Sequence, residues 1–199
     1  MGRRQLWDRT EVLASAMRLF RHRGYQGASL RDIEEATGLH PGSLYRSFRS
    51  KDGLFHAALD AYNEQVVQGR VRTHLLEPAD PLAGIRSFFT TAFETGVDPD
   101  PGCLLTNTAV ECFTVPQAAE GVRRGLETIE SGFADALTRA RALGRLPAGS
   151  DIGTTAAHLL ALYQGLLVLV RAGTPHTKLH TVTDGAMASI GPEQNEEQR

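Results

Sequence analysis

Residues 29–54 read SLRDIEEATGLHPGSLYRSFRSKDGL, and this stretch predicts two short helices joined by a sharp turn. Ser29 followed three residues later by Asp32 resembles a capping box, which predicts that a helix starts there. Gly38 can take the positive φ of a tight turn, so it ends that helix. Pro41 suits the first turn of the next helix, where its missing N–H costs nothing. The pattern indicates a helix-turn-helix.

The apolar positions of this motif, which spans about residues 29–48, predict how its helices cross. We expect them to pack against the helix before it, which the spacing of apolar residues places at about 10–23. Such packing leaves the outer face of the third helix free. The inward positions of the motif are Ile33, Leu39, Leu44 and Phe48, and their partner is Phe20.

The outer face of the third helix carries small and hydrogen-bonding residues. Gly42 and Ser43 would let the backbone approach base edges, Tyr45 can reach a phosphate, and Arg46 can contact phosphate or guanine. Nearby helix N-termini also favour phosphate. The predicted DNA-binding residues are Ser29, Arg31, His40, Pro41, Gly42, Ser43, Tyr45, Arg46 and Lys51.

Charge is distributed unevenly along the 199 residues, whose formal net charge is -2. Residues 1–52 hold ten Lys and Arg against six Asp and Glu, and the remainder holds eleven against seventeen. A basic first quarter and an acidic remainder favour one part that meets a polyanion and another that does not. Only two cysteines occur and no signal peptide is visible, so we expect a cytoplasmic protein without disulfides.

A family resemblance rests on landmarks that occur in order around the motif. They are Leu19-Phe20, Gly24-Tyr25, Gly42-Ser43-Leu44-Tyr45, Phe48 and Ser50-Lys51. The chain from about Thr10 to Leu59 strongly resembles the DNA-binding domain of the TetR family of transcriptional regulators. The resemblance implies a homodimeric repressor whose two third helices enter the major groove of a palindromic operator. It also implies release by a ligand in the larger helical domain. Three positions depart from the family pattern: Glu34, Thr37 and His40.

The rest of the chain shows helical spacing punctuated by Gly and Pro, so we predict an all-α fold of about nine helices. The predicted domains are a DNA-binding domain at 1–66 and a ligand-binding and dimerisation domain at 67–199. We expect residues 191–199 to be disordered.

The apolar run from Ala156 to Val170 predicts a buried helix. It is too short and too polar at His158 and Gln164 for a membrane span, so no membrane partner is expected. Because it is apolar nearly all round, it needs partner surface, which a second copy of the chain supplies. The alternative is a helix central to a monomer. The predicted dimerisation residues are Leu159, Leu162, Gly165, Leu166, Leu169, Val182 and Ala186.

Aromatic residues are numerous in the larger domain, and polar residues accompany them. They favour a pocket for an apolar or aromatic small molecule, although each residue could instead be ordinary core. The candidate pocket residues are Phe89, Phe93, Cys103, Asn107, Thr108, Glu111, Phe133, His158, Tyr163 and Gln164.

Cys103 offers an alternative signal, because it follows Pro-Gly and should start a helix, where the dipole favours a thiolate. Gly-Cys-Leu-Leu at this place resembles a subset of the family that includes electrophile and oxidant sensors; the other reading is a buried, inert thiol. Cys112 is expected to be structural. A remoter alternative is a helical enzyme or scaffold that does not bind DNA. No catalytic, cofactor or metal motif is visible, so we predict no enzyme and no cofactor.

Overall fold

The computed structural model describes residues 7–94, 102–111 and 118–190, and every regular element within these ranges is helical. The chain forms two compact units. The first contains Met1–Val67 and Pro101–Gly125, and the second contains Gln68–Asp100 and Leu126–Arg199. The predicted functional boundary after residue 66 lies beside the point where the first stretch ends, and it stays a prediction. The expected disorder of 191–199 falls outside the described residues.

Among its described residues, the first unit contains five complete helices, which are α1 (Arg9–Gly27), α2 (Leu30–Thr37), α3 (Pro41–Phe48), α4 (Lys51–Tyr62) and α7 (Leu104–Glu111). Helix α1 packs against α2, α4 and α7, and α3 packs against α4. Large side chains such as Phe20, Ile33 and Phe55 are fully buried there, so burial of apolar surface holds the unit together.

Helix α4 continues without a break into the second unit. A π-helical segment (Asn63–Val67), the single turn α5 (Gln68–Arg70) and a second π-helical segment (Val71–Leu76) follow it in succession. Taken as one helix, this run gives nine helices among the described residues, which agrees with the predicted all-α fold. The remaining helices are α6 (Pro81–Thr90), α8 (Ala119–Ala142), α9 (Ile152–Arg171) and α10 (His176–Ala188).

The core of the second unit is aromatic. The rings of Phe88 and Tyr163 lie 4.7 Å apart between centroids, and those of Phe88 and Phe133 lie 5.3 Å apart in an edge-to-face arrangement. Phe89 joins this group, with its ring 5.4 Å from that of Tyr163. Helix α10 packs against α6 and α9 and closes the core on one side.

Within the chain, helix α9 is buried on one face only. Leu159 and Leu166 are fully buried, whereas Leu162 and Val168 are 39% and 51% exposed. By length and composition alone, α9 is the one helix in the described ranges that could cross a bilayer. Only 28% of its most apolar window is buried, so its other face leaves apolar surface uncovered.

Candidate nucleic-acid interface

Local hydrogen bonds set the start and end of helix α2. The Ser29 hydroxyl accepts from the Asp32 backbone N–H at 3.1 Å, and the Asp32 carboxylate accepts from the Ser29 backbone N–H at 2.8 Å. Hydrogen bonds from Ser29 lower the pKa of Asp32 below its usual range, and Arg23 adds an ion pair at 2.8 Å. Gly38 ends the helix at φ 69°, a left-handed conformation that glycine adopts without strain.

Helix α3 has one buried and one exposed face, as the motif predicts. Leu44 is 2% exposed and Phe48 5% exposed, so these two side chains anchor the helix on the unit. Tyr45 is 52% exposed, and Arg46 is also exposed on the other side. Pro41 and Gly42 lie exposed at the first turn, and Ser43 beside them is half-buried. No atom lies within 4 Å of the position a Cβ would take at Gly42, so the backbone there is open to a partner.

Two carboxylates lie against predicted DNA-binding side chains near α3, which no pattern in the sequence indicates. The Glu34 carboxylate lies 2.6 Å from Nδ1 of His40, and Glu35 pairs with Arg31 at 2.9 Å. The side chain of His40 makes no cap bond to α3, so Glu34 orients the imidazole instead. The departure of Glu34 and His40 from the family pattern was the available signal.

Lys51 is held over an aromatic ring at the start of α4. Its Nζ lies 4.3 Å from the centroid of the Tyr25 ring, which is a cation–π contact. The Tyr25 hydroxyl donates to the Asp52 carboxylate. Burial and that hydrogen bond raise the pKa of Tyr25 to about 12, and burial lowers the pKa of Lys51 against the opposing effect of nearby carboxylates. Tyr25 therefore positions Lys51, which is a candidate for binding a DNA phosphate.

Helix α7 binds the backbone of α1 through side chains that were predicted to line a ligand pocket. The Glu111 carboxylate accepts from the Tyr25 backbone N–H at 2.8 Å, and Asn107 donates to the Arg21 carbonyl at 3.1 Å. Arg21 donates to the Gly102 carbonyl at 2.8 Å. These contacts join segments more than 80 residues apart, and no pattern in the sequence indicates them.

Comparison with known proteins decides the family. Residues 12–58 match the family described as bacterial regulatory proteins, tetR family, and residues 81–185 match the tetracyclin repressor-like C-terminal domain. The second match alone covers more than half of the chain. The chain belongs to the TetR family. It is therefore a DNA-binding transcriptional regulator with a helix-turn-helix, and not an enzyme.

Relatives of this TetR-family chain resemble it along most of its length. The transcriptional repressor ComR of Escherichia coli is 28% identical, and the match covers 96% of this chain and 92% of the length of ComR. The uncharacterised regulator YezE of Bacillus subtilis is 31% identical over 80% of this chain and 84% of its own. A cysteine mutant of the TetR-family regulator CifR, solved with 26-bp double-strand operator DNA, superposes with a TM-score of 0.82 at 29% identity. It covers 95% of this chain and 100% of its own.

The candidate pocket residues of this TetR-family regulator are divided between the two units. Phe89, Phe133 and Tyr163 lie in the aromatic core of the second unit, where Gln164 is half-buried. The Phe93 ring lies 5.0 Å from that of His180. His158 is exposed on the outer face of α9. The others, on or just before α7, belong to the first unit and are Cys103, Asn107, Thr108 and Glu111.

Cys103 is a free thiol that is 8% exposed. The Tyr62 hydroxyl donates to its sulfur at 3.4 Å. Burial limits access to this thiol, so nothing in its surroundings favours the sensor reading, which stays a prediction. Cys112 lies outside the described residues. Among the described residues no group of three or more His, Cys, Asp or Glu side chains could hold a metal ion.

The outer face of α9 and part of α10 form an open apolar groove of about 710 Å³. Leu159 and Ala186 are fully buried within the second unit, so they support this face from beneath. The groove is lined by His158, Ala161, Leu162, Gly165, Leu166, Leu169, Val182 and Ser189.

Proposed function

We propose that the chain is a cytoplasmic repressor that binds a palindromic operator as a homodimer and is released by a small, largely apolar or aromatic molecule. The exposed face of α3 carries this proposal. Leu44 and Phe48 fix that helix from behind, while Tyr45, Arg46 and an open Gly42 face outward. A helix of this kind enters the major groove, where backbone and side chains meet base edges.

Phosphate contacts complete the proposed interface. The Lys51 ammonium, steadied over the Tyr25 ring, and the Tyr45 hydroxyl are the donors we assign to the DNA backbone. Arg31 and His40 are exposed and each lies against a carboxylate, so an approaching phosphate competes with Glu35 and Glu34 for them. The Ser29 hydroxyl donates to the Asp32 carboxylate, so it is not itself assigned to a phosphate. Ser29 instead contributes to DNA binding by capping the N-terminus of α2.

Dimerisation is supported by the uncovered face of α9. Leu162 and Val168 are large apolar side chains that water contacts in the isolated chain. Gly165 has no atom within 4 Å of a Cβ position, so a second helix can approach there closely. A second copy that contributes the same face would form a two-fold helical bundle. Two α3 helices must then lie about 34 Å apart to read successive turns of DNA.

The effector proposal draws on the aromatic core of the second unit. A ligand can lower operator affinity only if it prefers the arrangement of the dimer that misplaces the two α3 helices. A ligand that entered between the rings of Phe88, Phe89 and Phe133 would move the helices that carry these side chains. A preference of a few kcal/mol is enough for this shift.

The decisive experiment is a fluorescence-anisotropy titration on the duplex upstream of the chain's own gene. We expect Tyr45→Ala and Lys51→Ala to weaken binding without loss of the dimer. Lys51→Ala should also lower the slope of log affinity against log salt by about 1 per protomer. Arg72→Ala is the matched control, because Arg72 is an exposed cation of the second unit. Unchanged affinity in both interface variants would refute the proposal.

Dimerisation has its own test in Leu162→Glu. Two buried carboxylates at a two-fold interface are strongly unfavourable, so this variant should sediment as a folded monomer and bind DNA weakly. Val110→Glu is the control, since Val110 is a highly exposed residue of the first unit. A Leu162→Glu dimer as tight as the wild type would place the interface elsewhere.

A further inference from the structure

Side chains bond across the turn between α2 and α3 at the three positions that depart from the family pattern. The Thr37 hydroxyl donates to the Ile33 carbonyl at 2.6 Å and accepts from the Leu39 backbone N–H at 3.2 Å. The Glu34 carboxylate lies 2.6 Å from Nδ1 of His40. These bonds join the end of α2 to the residue that precedes α3, so the position of the His40 ring is set from α2.

His40 stands at the start of the helix that we place in the major groove. Its backbone carbonyl accepts from the N–H groups of Ser43 and Leu44 at 2.8 and 3.0 Å, so it is the N-cap residue of α3. Its side chain makes no cap bond and is 85% exposed. The first residues of a recognition helix are those that meet DNA. The imidazole is therefore accessible to a DNA phosphate.

The Glu34 carboxylate determines which nitrogen of the His40 ring carries the hydrogen. An ionised carboxylate only accepts, so Nδ1 must be the donor in this contact. In the neutral ring Nε2 is then an acceptor, which a phosphate oxygen repels. In the imidazolium both nitrogens donate, so Nδ1 stays bonded to Glu34 while Nε2 donates to a phosphate. Neutral His40 thus has one N–H for which Glu34 and a phosphate compete, and protonated His40 has one for each.

Glu34 is the charged side chain that acts on His40 in the unbound chain. In the part of the chain that the structure describes, no other charged group lies within ion-pair distance of the His40 ring. Arg46 and Arg49 are exposed and lie six and nine residues beyond His40. The other charged groups of α2 and of the adjoining ends of α1 and α4 have partners of their own, which are Arg31 with Glu35, Arg23 with Asp32, and Lys51 and Asp52 with Tyr25.

We propose that Glu34 is a positioning residue that holds His40 as a proton-dependent phosphate contact, so that each protomer takes up a proton at His40 when the chain binds its operator. This inference rests on the proposed function, because it concerns the same DNA interface. The imidazolium lies between two anions in the complex and beside one in the unbound chain, so DNA binding favours the protonated form. Operator affinity therefore rises as pH falls through the range in which imidazole gains its second proton.

The test measures proton uptake by isothermal titration calorimetry of the full-length chain with the duplex upstream of its own gene. Titrations at about pH 7 in two buffers with different enthalpies of ionisation give the number of protons that enter the complex. His40→Gln keeps a neutral polar side chain that gains no proton, so its uptake should be lower than that of the wild type by up to about one proton per protomer. His40→Arg keeps a permanent cation, so it should bind as tightly as the wild type at about pH 6 and lose no affinity towards about pH 8.

Glu34→Gln tests the positioning role. It keeps an acceptor for Nδ1 but removes the negative charge, so proton uptake should fall. At about pH 8 its operator affinity should equal or exceed that of the wild type, because a carboxylate near the phosphates is gone. A merely structural role of Glu34 would instead weaken binding at every pH. Glu35→Gln is the matched control, because Glu35 is a neighbouring carboxylate of α2 whose partner, Arg31, stays charged; it should leave the uptake unchanged.

Two results overturn the inference: a His40→Gln variant that takes up as many protons as the wild type, and a Glu34→Gln variant with the uptake of the wild type. The His40 ring is exposed and caps no helix, so its variants should fold, and circular dichroism checks each of them. A chain that binds no duplex at either pH refutes the proposed function and this inference together. A chain that binds the duplex without proton uptake at His40 refutes this inference alone.

Discussion

Replacing Glu111 by alanine removes the acceptor that holds the Tyr25 backbone N–H at 2.8 Å and approaches that of Gln26 at 3.4 Å. Helix α1 is kinked at Gly24, where φ is 70° and a Cβ would lie 2.0 Å from Oε1 of Glu111. The carboxylate thus occupies the space that the glycine leaves and satisfies the N–H groups after the kink. Loss of a hydrogen bond to a charged group costs about 1.5–3 kcal/mol, and partial exposure reduces this to about 1–2 kcal/mol.

The expected loss of unfolding free energy differs between the alanine and glutamine variants of Glu111. Glu111→Gln keeps a neutral acceptor, so it should lose only about 0.5–1 kcal/mol. Glu64→Ala is the control, because Glu64 is an exposed glutamate of the same unit. Operator affinity should fall with stability in Glu111→Ala, since Tyr25 also positions Lys51.

Urea unfolding followed by tryptophan fluorescence is the appropriate assay. Trp7 is the single tryptophan of the chain, and its ring lies 6.0 Å from that of Phe48, so its emission reports on the first unit. Protein concentration must be the same for all variants, because a dimer's stability depends on it. If Glu111→Ala and Glu64→Ala have the same free energy of unfolding, the hydrogen bond from the Tyr25 backbone N–H to Glu111 does not stabilise the chain and the reasoning is refuted. So would an equal loss in the alanine and glutamine variants.

Three other predictions follow from single sites. Gly42→Ala should raise the free energy of unfolding by about 0.5–1 kcal/mol, because alanine is more favourable than glycine in a helix. The same change should weaken operator binding about tenfold or more, because the added methyl group keeps the backbone of α3 from the bases. Urea unfolding and fluorescence anisotropy on the same variant check the two effects. The lowered pKa of Asp32 means that its capping box stabilises the chain above the ordinary value of 3.8 and that this contribution is lost as pH falls through the lower folded pKa. Asp32→Asn should reduce that acid-side slope in unfolding measured against pH, and an unchanged slope would contradict the assignment. Maleimide should label Cys103 slowly in the native chain, because this residue is only 8% exposed; labelling at the rate of an unfolded thiol, measured by mass spectrometry, would favour the sensor reading instead.

The motif could be predicted from the sequence because its interactions are local. The Ser29–Asp32 capping box spans three residues, and the turn at Gly38 and the start of α3 at Pro41 depend on the backbone preferences of single residues. Helix α3 accordingly has the predicted bounds. The apolar spacing of the last segment predicts a helix at about 178–190, whereas α10 spans His176–Ala188, because the ends of helices depend on weaker signals.

The tertiary structure decided where the polar residues of α7 and the connecting helix act. Glu111 meets Tyr25 across 86 residues, and Arg70 meets Tyr163 across 93. A periodic pattern identifies which face of a helix is buried, but it does not state which other helix covers that face. Composition and spacing therefore predicted the fold class and helix α3, and the resemblance of the landmarks around the motif indicated the family. Only the packing of distant helices placed Glu111 on the backbone of α1 and Arg70 beside the Tyr163 hydroxyl, because those partners are chosen by three-dimensional contact and not by position along the chain.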